Sequence, residues 1–142
     1  KKSTSSWLHG DVNHKLNQIE NQLRGFDMAM VETGYRYSEV FFASEEKNWD
    51  YALYQAEKIK VTIENGFERR PKRKANAEAI FINSTYPSLI SAIKAKDSVA
   101  FKKAFGAATA SCNQCHQAEA VGFIKVVEPT VRLTPTNFGG NK

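Results

Sequence analysis

Both cysteines of the 142-residue chain fall in one stretch, Cys112-Asn113-Gln114-Cys115-His116, behind six small residues, Gly106 to Ser111. Residues three and four apart share one face of a helix. On a helix this spacing lets two thiols bond to one flat ligand while the imidazole of His116 comes under its centre. C-x-x-C-H is the form of a c-type haem attachment site. In that chemistry Cys112 and Cys115 form thioethers to the two vinyl groups of one porphyrin, and His116 supplies an axial ligand to iron. The small residues Gly106, Ala107, Ala108, Thr109, Ala110 and Ser111 leave room for the macrocycle.

Two other chemistries use paired cysteines, and both fit less well. A redox disulfide of this spacing opens a helix beside a βαβ pattern, which this sequence lacks. A structural zinc site needs a fourth ligand, and His9 and His14 are remote in sequence.

Helical periodicity dominates the elements that must position the motif. A first helix is expected from about Asp11 to Ser44, its inner stripe formed by Leu16, Leu23, Met30, Tyr37 and Ser44 together with Ile19, Phe26, Thr33 and Val40. Gly25 and Gly34 are its weak points. Asn48 is the expected N-cap of a second helix, with Trp49, Leu53, Ala56, Ile59 or Lys60, Ile63 and Phe67 inward and Pro71 with the basic cluster ending it. A third helix is expected over about Ala75 to Lys96, with Ala79, Ile82, Tyr86, Leu89 or Ile90, and Ile93 inward and a kink or restart at Pro87. Asp97 and Ser98 cap a fourth helix, bearing Phe101, Ala104, Phe105, Ala108, Cys112 and Cys115, with Gly122 as its stop. The expected fold is all-α: an antiparallel four-helix bundle over about residues 11–121, with an extended C-terminal tail over 122–142. The whole chain, 1–142, reads as a single domain.

A helical bundle with CNQCH near the end of its fourth helix resembles the class II c-type cytochromes, the cytochrome c′ superfamily. The stretches FFASEEKNWDYALYQAEKI (41–59) and AIKAKDSVAFKKAFGAATASCNQCHQAEAVGFI (92–124) look most like its small monohaem members. The resemblance implies one covalent haem c, with Cys112 and Cys115 as thioether residues and His116 as proximal iron ligand. It also implies a periplasmic protein whose signal peptide has been removed, and a dimer, with itself or with a related chain.

The sixth iron position decides the activity. Cys112 to His116 lie roughly 21–27 Å beyond Ser98, at about 1.5 Å per helical residue. The same distance back from Ser44 reaches Met30 down to Phe26, both on the inner stripe, while Met28 faces outward. With Met30 as distal ligand the iron is six-coordinate and suited to electron transfer, because a thioether raises the reduction potential. With Phe26 or Leu23 as roof it is five-coordinate and open to NO or CO. Catalysis is not expected, since no histidine or arginine lies on the stripe beside Met30 to act as acid or base; Arg24 and Arg36 fall off it.

Charge completes the reading. Of a net charge of +5, the segment ERRPKRK (68–74) carries +4. Concentrated in one turn at the haem end, it suits an acidic redox partner protein rather than nucleic acid. No apolar run approaches the ~18 residues of a membrane span. In the tail, Lys125 and Arg132 are candidates to pair with haem propionates. The expected function is single-electron transfer by a monohaem c-type cytochrome, with gas binding as the alternative.

Overall fold

The computed structural model describes residues 7–134. Among them there is no strand, and the chain forms a helical bundle: α1 (Val12–Leu23), α2 (Phe26–Glu45), α3 (Trp49–Arg69), a 3₁₀ turn (Pro71–Arg73), α4 (Lys74–Ala77), a π-helical stretch (Glu78–Thr85), α5 (Tyr86–Lys94) and α6 (Ser98–Ala118).

Where the sequence carries a cap, the boundary follows it. The Asn48 side chain accepts from the Tyr51 amide at 3.2 Å, and Asp97 accepts from Val99 and Ala100, both at 3.0 Å. Each cap residue also closes the preceding helix. Asn48 donates its amide to the Ala43 carbonyl and Asp97 to the Ala92 carbonyl, while Lys47 and Lys96 take positive φ angles of 58° and 55°. This is the Schellman closure. One tight turn thus ends a helix and caps the next.

The expected first helix is two helices. Arg24 takes φ 62°, and Gly25 becomes the N-cap of α2. Gly25 is buried under the Arg70 side chain, whose Nε would lie 3.0 Å from any Cβ there. The break rotates α1 off the bundle: it buries no residue, and Leu16, Ile19 and Leu23 are 57%, 41% and 57% exposed. The inner stripe expected for residues 11–44 therefore holds only from Phe26 onward.

The third element is also rebuilt. Pro87 has no N–H and its ring would strike the carbonyl four residues back. The chain meets this by widening into π-helix just before the proline. Wider turns change which residues point inward: Ala77, Phe81, Ile82 and Tyr86 are buried, and Ala79, expected inward, is exposed.

The core is aromatic at its centre. Phe105 packs on Tyr37, Phe41 and Phe101, with ring centroids 4.4, 5.3 and 5.4 Å apart, and Phe101 meets Trp49 edge-on. Phe101 and Phe105 are almost wholly enclosed, and burying each contributes on the order of 2–3 kcal/mol. Helices α2 and α3 are tightly packed at Gly66, where a Cβ would lie 2.7 Å from the Phe26 ring.

One buried charge ties the tail to the bundle. Glu39 on α2 is fully buried. It accepts two bonds from Arg132 at 2.9 Å, one from the Tyr51 hydroxyl at 2.9 Å and one from Thr134 at 3.0 Å. Arg132 is therefore held by a carboxylate of the protein, which corrects its assignment to a propionate. Burial by itself would raise the Glu39 pKa, but these hydrogen bonds and the Arg132 charge outweigh it and hold the group below the usual value. A lowered carboxyl contributes stability above its unfolded pKa and loses it as pH falls through the folded one. Arg132→Ala leaves the carboxylate buried beside only Tyr51 and Thr134, and should cost about 2–4 kcal/mol at pH 7. With Arg132 gone, burial raises the Glu39 pKa, so the penalty should shrink as pH falls toward 4. Urea unfolding across pH measures this; a penalty independent of pH would contradict the assignment.

Candidate functional site

The C-terminal half of α6 carries the motif. Its N-terminal half is anchored by Phe101, Ala104, Phe105 and Ala108 in the core. Beyond Ala108, Ser111 is buried and accepts from Thr85 Oγ1 at 2.9 Å. Cys112, Cys115 and His116 are half-buried. The helix ends at Ala118, four residues before Gly122, the expected stop. Ala120 takes φ 61°, and the Val121 amide returns to the His116 carbonyl at 2.8 Å. Alanine thus occupies the left-handed closing position expected of glycine.

Both cysteines are free thiols. Burial, reinforced by the charge of Cys115, pushes Cys112 up to about 11. Cys115 is also raised, by burial and then by Glu119, with Arg73 acting against them. Neither thiol has the lowered pKa of a reactive redox cysteine. Among the described residues no cluster of three or more His, Cys, Asp or Glu side chains is placed to hold a metal ion. His9 and His14 lie against each other at the start of α1, ring centroids 5.8 Å apart.

His116 is held by the segment that follows its helix. Its Nδ1 lies 2.8 Å from the Ile124 carbonyl oxygen. A carbonyl can only accept, so Nδ1 carries the proton and donates it. The tautomer is thereby set, and Nε2 is left with its lone pair, as a metal-binding imidazole requires. Beside it the Asn113 side chain bonds the Val126 backbone in both directions, donating from Nδ2 at 2.9 Å and accepting at Oδ1 from the amide at 2.8 Å.

The other candidate residues lie on two elements. Met30 is half-buried against the core, and Met28 points outward. Phe26 is half-buried and stacks on Phe67, centroids 6.4 Å apart. Leu23 lies exposed on α1, beyond the Arg24–Gly25 break, separated from the inner face of α2. Tyr37 is buried, its hydroxyl hydrogen-bonded to Thr109, and burial foremost raises it to about 12. The basic turn meets the end of α6: Arg73 pairs with Glu119, which also accepts from Asn76 at 3.0 Å. A cleft of about 630 Å³ runs between Phe26, Arg24 and Asp27 on one side and Arg70 and Arg73 on the other.

The residues fit a covalently held haem on three counts. The helix carries both thiols and a histidine whose metal-binding nitrogen is free. A Cβ added at Gly34, on the same stripe as Met30 and Tyr37, would meet nothing within 4 Å, so α2 is not crowded there. The Thr33 hydroxyl, one helical turn from Met30, is buried without a hydrogen-bond partner among the described residues. No protein-family model, characterised protein or solved structure matches the chain.

The sequence reading missed Asn113, the Ile124 carbonyl and the Glu39–Arg132 pair. Asn113 occupies a variable position of the motif, and the tail carries no helical period, so spacing could not find either contact. Glu39 left a faint signal, a carboxylate beside the apolar run Val40-Phe41-Phe42-Ala43.

The two thiols should differ in the protein without haem. At pH 8 a pKa near 11 leaves Cys112 about one part in a thousand thiolate. Iodoacetamide followed by peptide mass spectrometry should label Cys115 first. Labelling of Cys112 first would overturn the burial order.

Proposed function

We propose that this chain is a monohaem c-type cytochrome built as an antiparallel four-helix bundle with a C-terminal tail, exported to the periplasm and carrying single electrons. The carrying observation is His116: it closes the Cys-x-x-Cys-His motif on α6, with Nδ1 donating to the Ile124 carbonyl and Nε2 left for iron. Cys112 and Cys115 would hold one haem c through thioethers, and His116 Nε2 would be its proximal ligand. When bound, the haem supplies an iron that accepts and returns one electron without bond chemistry at the protein.

The packing between α2 and α6 supports Met30 on the opposite side. Phe41 meets Phe105 and Tyr37 bonds Thr109, so four residues back along α2 match four residues forward along α6. Continued at that pace, Gly34 comes level with Cys112, and Met30 with His116. Phe26 lies one further turn along, stacked on Phe67. A thioether from Met30 would favour the reduced iron and raise the potential. The two arginines nearest Met30 in sequence are engaged elsewhere: Arg36 bonds Glu32 and Gln55, and Arg24 pairs with Asp27.

The basic turn supports an acidic protein partner. Arg73 binds Glu119, three residues beyond His116, which brings Arg70, Lys72 and Lys74, all exposed, to the end of the molecule where the motif lies. Such a rim raises the encounter rate with a negative partner at low salt. The dimer expected from the resemblance belongs to the same proposal. The apolar stripe Val12, Leu16, Ile19 and Leu23, exposed on α1, supports it.

Production with haem c maturation should give covalently bound haem that survives denaturation, and Cys112→Ala with Cys115→Ala should abolish it. The ferrous protein should ignore CO, and Met30→Ala should bind it and lower the reduction potential by on the order of 100 mV. No covalent haem in matured protein rejects the cytochrome. Ready CO binding by the unaltered protein transfers the roof to Phe26 and the function to gas binding.

A further inference from the structure

We infer that Asn113, one of the two variable residues inside the Cys-x-x-Cys-His motif, is a positioning residue that sets the strength of the His116–iron bond by clamping the C-terminal strap across α6; this rests on the proposed haem.

The strap begins where α6 closes and returns along its flank. Three contacts hold it. His116 Nδ1 donates to the Ile124 carbonyl, Asn113 bonds both the N–H and the C=O of Val126, and Arg132 and Thr134 end on Glu39. Asn113 and His116 are three apart and so lie on one side of the helix, and the backbone atoms they hold, at Val126 and Ile124, are two residues apart. Beside the contacts the strap is mostly exposed, Phe123 by 80% and Val127 by 69%, while Val126 is half-buried against the core. Asn113 and the packing of Val126 against the core thus hold the same strap residue, and that anchor places the Ile124 carbonyl two residues before it.

Asn113 is itself held. Its Nδ2 leans on the Thr109 carbonyl at 3.3 Å, and the Thr109 hydroxyl donates back to Phe105 O at 2.9 Å and bonds Tyr37. A continuous set of contacts runs from the aromatic core through Thr109 and Asn113 to the strap. An amide is the side-chain group that satisfies both an N–H and a C=O of one peptide segment at once. Alanine satisfies neither, and aspartate keeps only the acceptor.

The chemical consequence follows from the histidine. Donation from Nδ1 to a carbonyl raises the electron density at Nε2, strengthens its bond to iron and favours the oxidised metal. Releasing the strap weakens that donation, so the reduction potential should rise. The helix itself loses nothing, because alanine is a better helix former than asparagine.

Asn113→Ala tests this with two readouts. Hydrogen exchange at the Val126 amide should quicken about tenfold or more, the loss expected for one or two hydrogen bonds, with or without haem. In the haem-loaded protein the reduction potential should shift upward, and Asn113→Asp should fall between Asn113→Ala and the unaltered chain in both readouts. Faster exchange with an unchanged potential overturns the positioning role and leaves the clamp as structure alone. Unchanged exchange overturns the clamp itself. Should the alanine variant not fold, Asn113→Asp decides by the same two measurements. Failure of the unaltered chain to hold haem rejects the cytochrome reading, and the exchange result then still tests the clamp.

Discussion

The structure turns on Phe105. Its ring is gripped by Tyr37 and Phe41 from α2 and by Phe101 from the turn before it on α6. That packing fixes how far α6 may slide along α2. Everything of chemical interest lies beyond it on the same helix, at steps set by the helical rise: Thr109 against Tyr37, Asn113 on the strap, His116 at the end. A shift of one turn in this contact would part Thr109 from Tyr37 and Ser111 from Thr85.

Beyond Ala108, α6 stops behaving as a core helix. Its inner face thins to small residues and two half-buried thiols, and its flank is covered by a strap with little apolar burial. If α6 receives the proposed haem, it cannot also fill that space with its own side chains. Polar contacts take over the holding: Ser111 to Thr85, Asn113 to Val126, Arg73 to Glu119. The strap is secured at its far end by a buried charge pair, a costly device wherever one partner is missing. Breaking it strands Glu39, so the tail and the bundle hold together.

Legibility followed the locality of the cause. Asn48 and Asp97 announce helix starts because a cap is settled within three residues of itself, and both proved correct. The fourth helix was read almost whole for the same reason. The expected first helix differs because its apolar repeat runs straight through Arg24 and Gly25, while the break lies where Arg70, just after α3, covers Gly25. Pro87 signals a disturbance but not its form, a π-helical widening upstream that lies against α6. Leu23 entered the list of candidate roofs by periodicity alone, and the same break carries it to solvent.

The sequence by itself determined the helical class, the caps that close and open successive helices, and one concentrated chemical signal, two thiols and an imidazole on adjacent turns of a helix. These are properties of neighbours in the chain, governed by a spacing of three or four residues. The tertiary structure alone decided which nitrogen of His116 carries the proton, where Arg132 finds its carboxylate, and that α1 stands off the bundle. Each depends on groups brought together across long stretches of chain, Glu39 with Arg132, Gly25 with Arg70, His116 with a backbone carbonyl. A backbone carbonyl has no identity in a sequence, so a contact made to one is visible only once the chain is folded.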